Sequence, residues 1–328
     1  MRIVVTGGTG FTGAALSLRL ASEGHQVTAV GRREGLRGAE LTAAGVRVAL
    51  GSITDLDTLD SVMPGAELVF HLAAAFRQMG VPDRYYQEVN VEGTRMVAEC
   101  ALRHGVAKLI HCSTMGVHGS VAVPPADEDA PFQPRDYYQQ SKLEGELALA
   151  PFPARGLPVT IVRPAAIYGP GDPGHILLLF QRVASGFFPM FGDGRTLYHM
   201  VYIDNLLDGF LAAAAAGSGD GRAYLIADAT YVTLDELVRA VAAALGVRVR
   251  VLHLPLAPLL FVGELCDRLL RPLGIPPPLF PRRVDWFRSN RAFSTDRARR
   301  ELGWEPRIEL AEALRRTADW YRANGYLR

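Results

Sequence analysis

Thr6-Gly7-Gly8-Thr9-Gly10-Phe11-Thr12-Gly13 follows the apolar run Ile3-Val4-Val5 and leads into an amphipathic segment, Ala14 to Ser22. The order is strand, glycine turn, helix. In such a unit Gly7, Gly10 and Gly13 let the backbone turn tightly, approach a pyrophosphate closely and pack helix against strand, while the helix N-terminus offers N–H groups to the phosphates. Gln26 to Val30 reads as a second strand, so the stretch predicts a dinucleotide site with Phe11 and Thr12 among its contacts. The spacing is Gly-x-x-Gly-x-x-Gly rather than Gly-x-Gly-x-x-Gly.

Four further apolar runs read as strands: Val46 to Leu50, Leu68 to His71, Ala107 to Cys112 and Leu157 to Arg163. They alternate with helical segments, which predicts a parallel, doubly wound α/β sheet of the Rossmann type. Ligands of such sheets bind outside the carboxyl ends of the strands, so Ser52, Ile53 and Leu72-Ala73-Ala74 are expected beside adenine and ribose. Pro164, Ala165 and Ile167 are expected to wall the nicotinamide. Arg32 and Arg33 follow the second strand, where an NAD site would place Asp or Glu for the ribose 2′-hydroxyl. A guanidinium there suits a 2′-phosphate and favours NADP over NAD; the alternative is two solvated charges opening a surface loop.

Asp136-Tyr137-Tyr138-Gln139-Gln140-Ser141-Lys142 reads as the start of a helix with Asp136 as its N-cap. Tyr138 and Lys142 then lie one above the other on the same face, whereas Tyr137 has Ser141 in that place. A tyrosine, with a reference pKa of about 10, is a poor acid or base near neutrality, but a fixed ammonium beside it favours the phenolate. Tyr138 is therefore a candidate general acid/base. Ser113-Thr114 ends the fifth strand at the same edge of the sheet, where a hydroxyl can meet a substrate oxygen.

Taken in order, the glycine turn, Leu72-Ala73-Ala74, Val89-Asn90-Val91-Glu92-Gly93-Thr94, Ser113-Thr114, Tyr138-x-x-x-Lys142 and Arg163-Pro164-Ala165-Ala166-Ile167-Tyr168-Gly169-Pro170-Gly171 resemble one family. It is the extended short-chain dehydrogenase/reductases, the NAD(P)-dependent epimerase/dehydratase group, nearest in feel to its 3-beta-hydroxysteroid dehydrogenase and dihydroflavonol reductase-like branch. Val201 to Asn205 and Leu302-Gly303-Trp304-Glu305-Pro306 extend the resemblance over essentially the whole chain. It implies a catalytic set of Thr114, Tyr138 and Lys142, with Asn90 and Ser113 among the cofactor contacts, and often a homodimer. Thr12 departs from the branched aliphatic residue more usual there, and Ser52 from the aspartate that often reaches the adenine amine. The activity implied is hydride transfer between nicotinamide and a hydroxy or keto group; nucleotide-sugar epimerisation or dehydration by the same residues is the alternative within the family.

The 35 basic and 34 acidic residues leave a net charge of +1, which gives no field to attract nucleic acid or an anionic membrane. Three cysteines, Cys100, Cys112 and Cys266, are odd in number and lack metal-ligand spacing, which suits the cytoplasm and predicts no metal. His71 is expected in the core or a loop. The most apolar stretch, Val251 to Gly263, has 13 residues broken by Pro255 and Pro258, too short for a transmembrane segment. Residues 1–168 are expected to form the cofactor domain, with 197–228 returning to it, and 169–328 a smaller, mostly helical substrate lobe. Within that lobe Leu259, Val262, Cys266 and Leu269 recur at helical spacing. They suit a core face, the cover of a greasy substrate pocket or an interfacial segment. Nucleotide-sugar members usually carry Gly-Asp-Gly, three residues, then an arginine for the diphosphate. Here Gly192-Asp193-Gly194 is followed by Arg195-Thr196-Leu197-Tyr198, so the arginine is out of register and a hydrophobic hydroxy or keto substrate is expected.

Overall fold

Alternation along the first strand sets up two cores. Ile3 and Val5 face one side and Val4 the other, all 2% exposed or less, because both faces of the sheet are covered. The computed structural model describes residues 1–76, 81–172, 174–217, 219–270 and 285–327. Its first strands are β1 (Arg2–Thr6), β2 (Gln26–Gly31), β3 (Arg47–Leu50), β4 (Leu68–His71), β5 (Lys108–Cys112) and β6 (Val159–Pro164). There follow β7 (Ala166–Tyr168), β8 (Phe187–Phe191), β9 (Leu197–Tyr198), β10 (Met200–Tyr202), β11 (Asp220–Ile226), β12 (Val232–Thr233) and β13 (Arg250–Leu254). A seven-stranded parallel sheet runs in the order β11-β6-β5-β4-β1-β2-β3, so the sequential order of the strands reverses between β1 and β4. That reversal opens the crevice where ligands of such sheets bind. Three two-stranded sheets, β7 with β10, β8 with β13 and β9 with β12, lie outside it.

On one face, the core formed by Ile3, Val5, Phe70, Ile110 and Val162 takes in Leu16 and Leu20 of α1 (Phe11–Ser22) and Leu41 of α2 (Gly38–Ala43). The same core continues without a break through Leu206 and Phe210 to Phe180, Leu237 and Tyr321 of the C-terminal lobe. Two sequence stretches far apart lock together there. Asn205 Oδ1 accepts the N–H groups of Arg307 and Ile308, each at 2.9 Å, while Trp304 Nε1 donates to the Asn205 carbonyl at 3.0 Å. The second core, Val4, Val69, Leu109 and Ile161, is closed by Leu59, Val97, Ala101 and Leu149 from α3 (Leu56–Val62), α5 (Gly93–Arg103) and α6 (Tyr137–Leu149).

The helical pattern before β5 is not one helix. A short helix, α4 (Asp83–Gln87), passes through a π-helical segment at Glu88–Glu92 before α5 begins. The π-turn carries Asn90, and α6 packs against it at Gly145, where a Cβ would lie 2.4 Å from the Asn90 carbonyl oxygen. Only glycine allows that approach. In the C-terminal lobe, Leu256–Leu270 is helical as its spacing suggests, but Val262 and Leu269, with Phe261 and Leu265, are 44–68% exposed. The core-face expectation is therefore corrected for Val262 and Leu269, which point outward, while Leu259 and Cys266 are only partly buried. Pro272 and Pro276 to Pro278 lie outside the described residues. Among the described residues no helix is long and apolar enough to cross a membrane.

Gly145→Ala must push α6 away from the π-turn or distort it, and overpacking of this kind costs about 1–3 kcal/mol. The midpoint of urea unfolding should fall with an unchanged slope. A wild-type midpoint would show that the contact is not tight.

Candidate active site

At the β1–β4 crevice, Gly7 takes φ +70°, and a Cβ there would lie 2.7 Å from the Ala73 amide nitrogen. The turn and the β4 edge thus meet backbone to backbone. Gly13 is as tightly placed, since its Cβ would lie 2.1 Å from the Gly7 carbonyl oxygen. Helix α1, 12 residues long, starts at Phe11 with Gly10 as its N-cap, and no side chain caps it or places an acidic group in its first turn. Its N-terminus therefore suits the pyrophosphate of a dinucleotide on charge and on space. Phe11 and Thr12 are partly exposed on that turn and Gly10 is exposed.

Arg32 and Arg33 are exposed just beyond β2. Arg32 also reaches across to Tyr85: Nη1 donates to the phenol oxygen, and the guanidinium carbon lies 5.8 Å from the ring centroid. Ser52 and Leu72 to Ala74 line the carboxyl edge and are partly exposed, whereas Ile53 turns its side chain into the core against Gly93. Pro164 and Ala165 are buried at the end of β6, with Ile167 partly exposed beyond them.

Besides Ile53, two more side chains expected at the cofactor face the interior instead. Asn90 is fully buried; its Oδ1 accepts from Ala75 N at 2.7 Å, and its Nδ2 donates to Ala75 O at 3.1 Å and Ser141 Oγ at 2.9 Å. It clips the β4 edge to α6 rather than lining the crevice. Ser113, 3% exposed, donates to Glu146 Oε1. Glu146 in turn holds Arg163, whose Nη2 lies 2.6 Å from Oε2, with both side chains 5% exposed. Arg163 Nη1 also reaches His118 Nε2 at 3.1 Å and the Glu128 carbonyl at 3.3 Å, so the buried charge pair has the added partners it needs. Ser113 is thus committed below the sheet edge, and Thr114 is the hydroxyl that remains partly exposed above it.

Helix α6 starts as expected, with Asp136 Oδ1 accepting from Gln139 N at 2.8 Å. Tyr137 is 54% exposed, while Tyr138 is partly buried with its ring 4.9 Å from that of Phe76 at an interplanar angle of 63°. Lys142, one turn on, is 1% exposed, and its Nζ lies 3.4 Å from His111 Nε2. Burial lowers the Lys142 pKa from its ordinary value, and the Glu146 carboxylate acts against that. Phe76 and His111 were not expected here, because an isolated aromatic in a loop and a histidine inside a strand carry no motif.

Cys112 is pushed up to about 11 by burial, which makes it inert as a thiolate. Cys100 is also raised by burial. Chain spacing did hide one grouping: Asp60, Cys100 and His104 bring ligand atoms within 4.8 Å of one another. They join α3 to the end of α5 that leads into β5, at the sheet edge opposite the crevice, and the Arg103 guanidinium already sits on Asp60 Oδ1.

Comparison with known proteins gives the same picture. The family model for the "NAD dependent epimerase/dehydratase family" matches residues 3–227. Among curated relatives, a 3 beta-hydroxysteroid dehydrogenase/Delta 5→4-isomerase of Mycobacterium tuberculosis is 32% identical over 98% of this chain and 90% of its own. A 2-alkyl-3-oxoalkanoate reductase of Stenotrophomonas maltophilia is 32% identical over 96% and 98%. A UDP-glucose 4-epimerase of Mycolicibacterium smegmatis is 31% identical over 98% and 99%. Among solved structures, the dTDP-glucose 4,6-dehydratase DesIV of Streptomyces venezuelae, with NAD bound, superimposes with a TM-score of 0.79 at 26% identity, covering 100% of this chain and 99% of that one. The chain belongs to the NAD-dependent epimerase/dehydratase family, the extended short-chain dehydrogenase/reductases, and is an NAD(P)-dependent oxidoreductase.

Proposed function

We propose that the protein catalyses reversible hydride transfer between NADP and the hydroxy or keto carbon of a hydrophobic substrate, with Thr114, Tyr138 and Lys142 as its catalytic residues. The nicotinamide, when bound, accepts or supplies the hydride. Thr114 holds the substrate oxygen through its hydroxyl. Tyr138 exchanges a proton with that oxygen at its phenol, and the Lys142 ammonium favours the phenolate and binds the nicotinamide ribose. The observation that carries the substrate class is the contact between Phe76 and Tyr138: a 45% exposed phenyl ring packs against the ring of the proton-transferring tyrosine, a surface suited to an apolar skeleton. Arg195 supports it from the other side, since it is exposed on the turn where its own N–H bonds to Asp193 Oδ1 at 3.0 Å. The hydroxysteroid dehydrogenase and oxoalkanoate reductase relatives fit this choice. The UDP-glucose 4-epimerase relative keeps the nucleotide-sugar alternative in the test. NADP is favoured because exposed Arg32 and Arg33 stand where a carboxylate would repel a 2′-phosphate.

Tyr138→Phe keeps the ring and removes the hydroxyl, so kcat should fall about 10²- to 10⁴-fold with little change in cofactor affinity. The exposed neighbour provides the control, and Tyr137→Phe should remain active; the reverse outcome would put the dyad in the wrong register.

In fluorescence titrations NADPH should bind more tightly than NADH, and Arg32→Ala should remove most of the difference. Equal affinities in the unaltered protein would return both arginines to the solvent.

For the substrate, an apolar ketone added with NADP should raise the melting temperature, and UDP-glucose should leave it unchanged. Loss of one charge-assisted contact to a diphosphate, about 1.5–3 kcal/mol, corresponds to roughly a ten- to hundredfold weaker affinity. A clear UDP-glucose shift, abolished by Arg195→Ala, would establish the nucleotide-sugar alternative.

A further inference from the structure

His111 stands near the carboxyl end of β5, 0% exposed, and its Nε2 is 3.4 Å from the Lys142 Nζ. An ammonium only donates, so the imidazole nitrogen that faces it must offer a lone pair. The ring proton is then on Nδ1, and among the described residues Nδ1 is buried without a hydrogen-bond partner. The adjacent strand presents a second buried imidazole, His71, with its ring centroid 5.1 Å away. Its tautomer is the opposite one. Thr94 Oγ1 donates to the Asn90 carbonyl at 2.7 Å, which leaves it to accept from His71 Nε2–H at 2.9 Å. His71 Nδ1 therefore accepts from the Thr6 hydroxyl at 2.7 Å. His71 is thus fully used in joining β1, β4 and α5, while His111 leaves one polar atom unpaired.

A buried N–H without a partner is rare enough to need a reason, and an apolar side chain would fill position 111 without the loss. The surroundings of Lys142 supply the reason. From β5 the Cys112 thiol is held neutral by burial, and from β4 His71 is held neutral, pushed down to about 3 by its burial and by the Lys142 charge. Within α6, the Glu146 carboxylate is taken up by Ser113 and by Arg163 from β6, and Tyr138 lies one turn before Lys142. His111 is itself kept neutral by burial first and by Lys142 second. Its lone pair is thus available to the ammonium near neutral pH.

We propose that His111 is a positioning residue for Lys142, its Nε2 lone pair anchoring the buried ammonium so that the remaining N–H donors are left to the cofactor crevice. This rests on the proposed Tyr138–Lys142 chemistry, but its first test requires no activity. In protein labelled with ¹⁵N-histidine, His111 should give an Nδ1–H, Nε2-acceptor pattern that does not titrate between pH 5 and 9. His71 should give the reverse pattern. His111→Gln identifies the resonances by their loss, and Lys142→Met should move the His111 Nε2 signal. An Nε2–H tautomer at His111, or a signal indifferent to Lys142→Met, would overturn the proposal whatever the enzyme's substrate. The second test is the pH profile of alcohol oxidation. His111→Phe removes the acceptor and should move the acid limb of kcat up by about one pH unit, because a less secure ammonium favours the phenolate less. His111→Gln, whose amide oxygen can accept in place of Nε2, should restore the wild-type profile. Superimposable profiles for wild type and His111→Phe would also sink the proposal, and a Tyr138→Phe enzyme that kept full activity would instead show that the hydride-transfer chemistry itself had been misassigned.

Discussion

A lysine ammonium that is 1% exposed, at the carboxyl edge of a parallel sheet, is the constraint on which the rest of this site depends. Removing such a charge from water costs several kcal/mol unless the protein gives it partners. The chain answers with a neutral imidazole on one side, an acidic residue further along the same helix, and strands whose apolar side chains exclude water. The adjacent histidine follows from the same constraint. A protonated imidazole beside the ammonium would add repulsion, so both rings are buried deeply enough to stay neutral.

Bringing that lysine to the sheet requires α6 to come close to the segment that follows β4, and the approach is made possible by a few residues of unremarkable chemistry. Gly145 removes the side chain that would strike the Asn90 carbonyl, and the π-turn at Glu88–Glu92 presents Asn90 inward. The Asn90 amide then joins Ala75 to Ser141, one residue before Lys142. The same clip holds the β4 edge against the glycine turn, so the dinucleotide crevice and the tyrosine–lysine helix share one support. Strain at either would be felt at both, since the parts are close-packed.

Below this level lies a second polar layer, built on Arg163 and Glu146. It is fully buried and fully partnered, through Ser113, His118 and the Glu128 carbonyl. Such a network contributes geometry more than stability, because its Coulombic gain is largely offset by desolvation. Its consequence for the site is a division of labour between adjacent hydroxyls: Ser113 turns down to the carboxylate, and Thr114 is left at the edge.

Much of this was written in local sequence. Strand runs, the glycine turn, the N-cap at Asp136 and the four-residue spacing of Tyr138 and Lys142 are properties of short segments, and a period of 2 or 3.6 residues with the right capping group is enough to specify them. The fold class, and the choice of Tyr138 over Tyr137 as the residue one helical turn before Lys142, follow from those segments alone. Which way a polar side chain turns does not. Ser113 and Ile53 stand at the sheet edge and Asn90 in a motif on the π-turn, yet each points inward, because its partner, Glu146, Gly93 or Ala75, comes from another element. Likewise the stripe of Val262 and Leu269 has the spacing of a core face, but burial depends on whether another element arrives to cover it. His111 beneath Lys142 and Phe76 against Tyr138 are contacts across 31 and 62 residues of chain, and no periodicity reports them. Position along the chain determined which groups are available; only the tertiary packing decided which of them face the crevice and which pay out their hydrogen bonds to the interior, because each choice is settled by partners that local sequence does not contain.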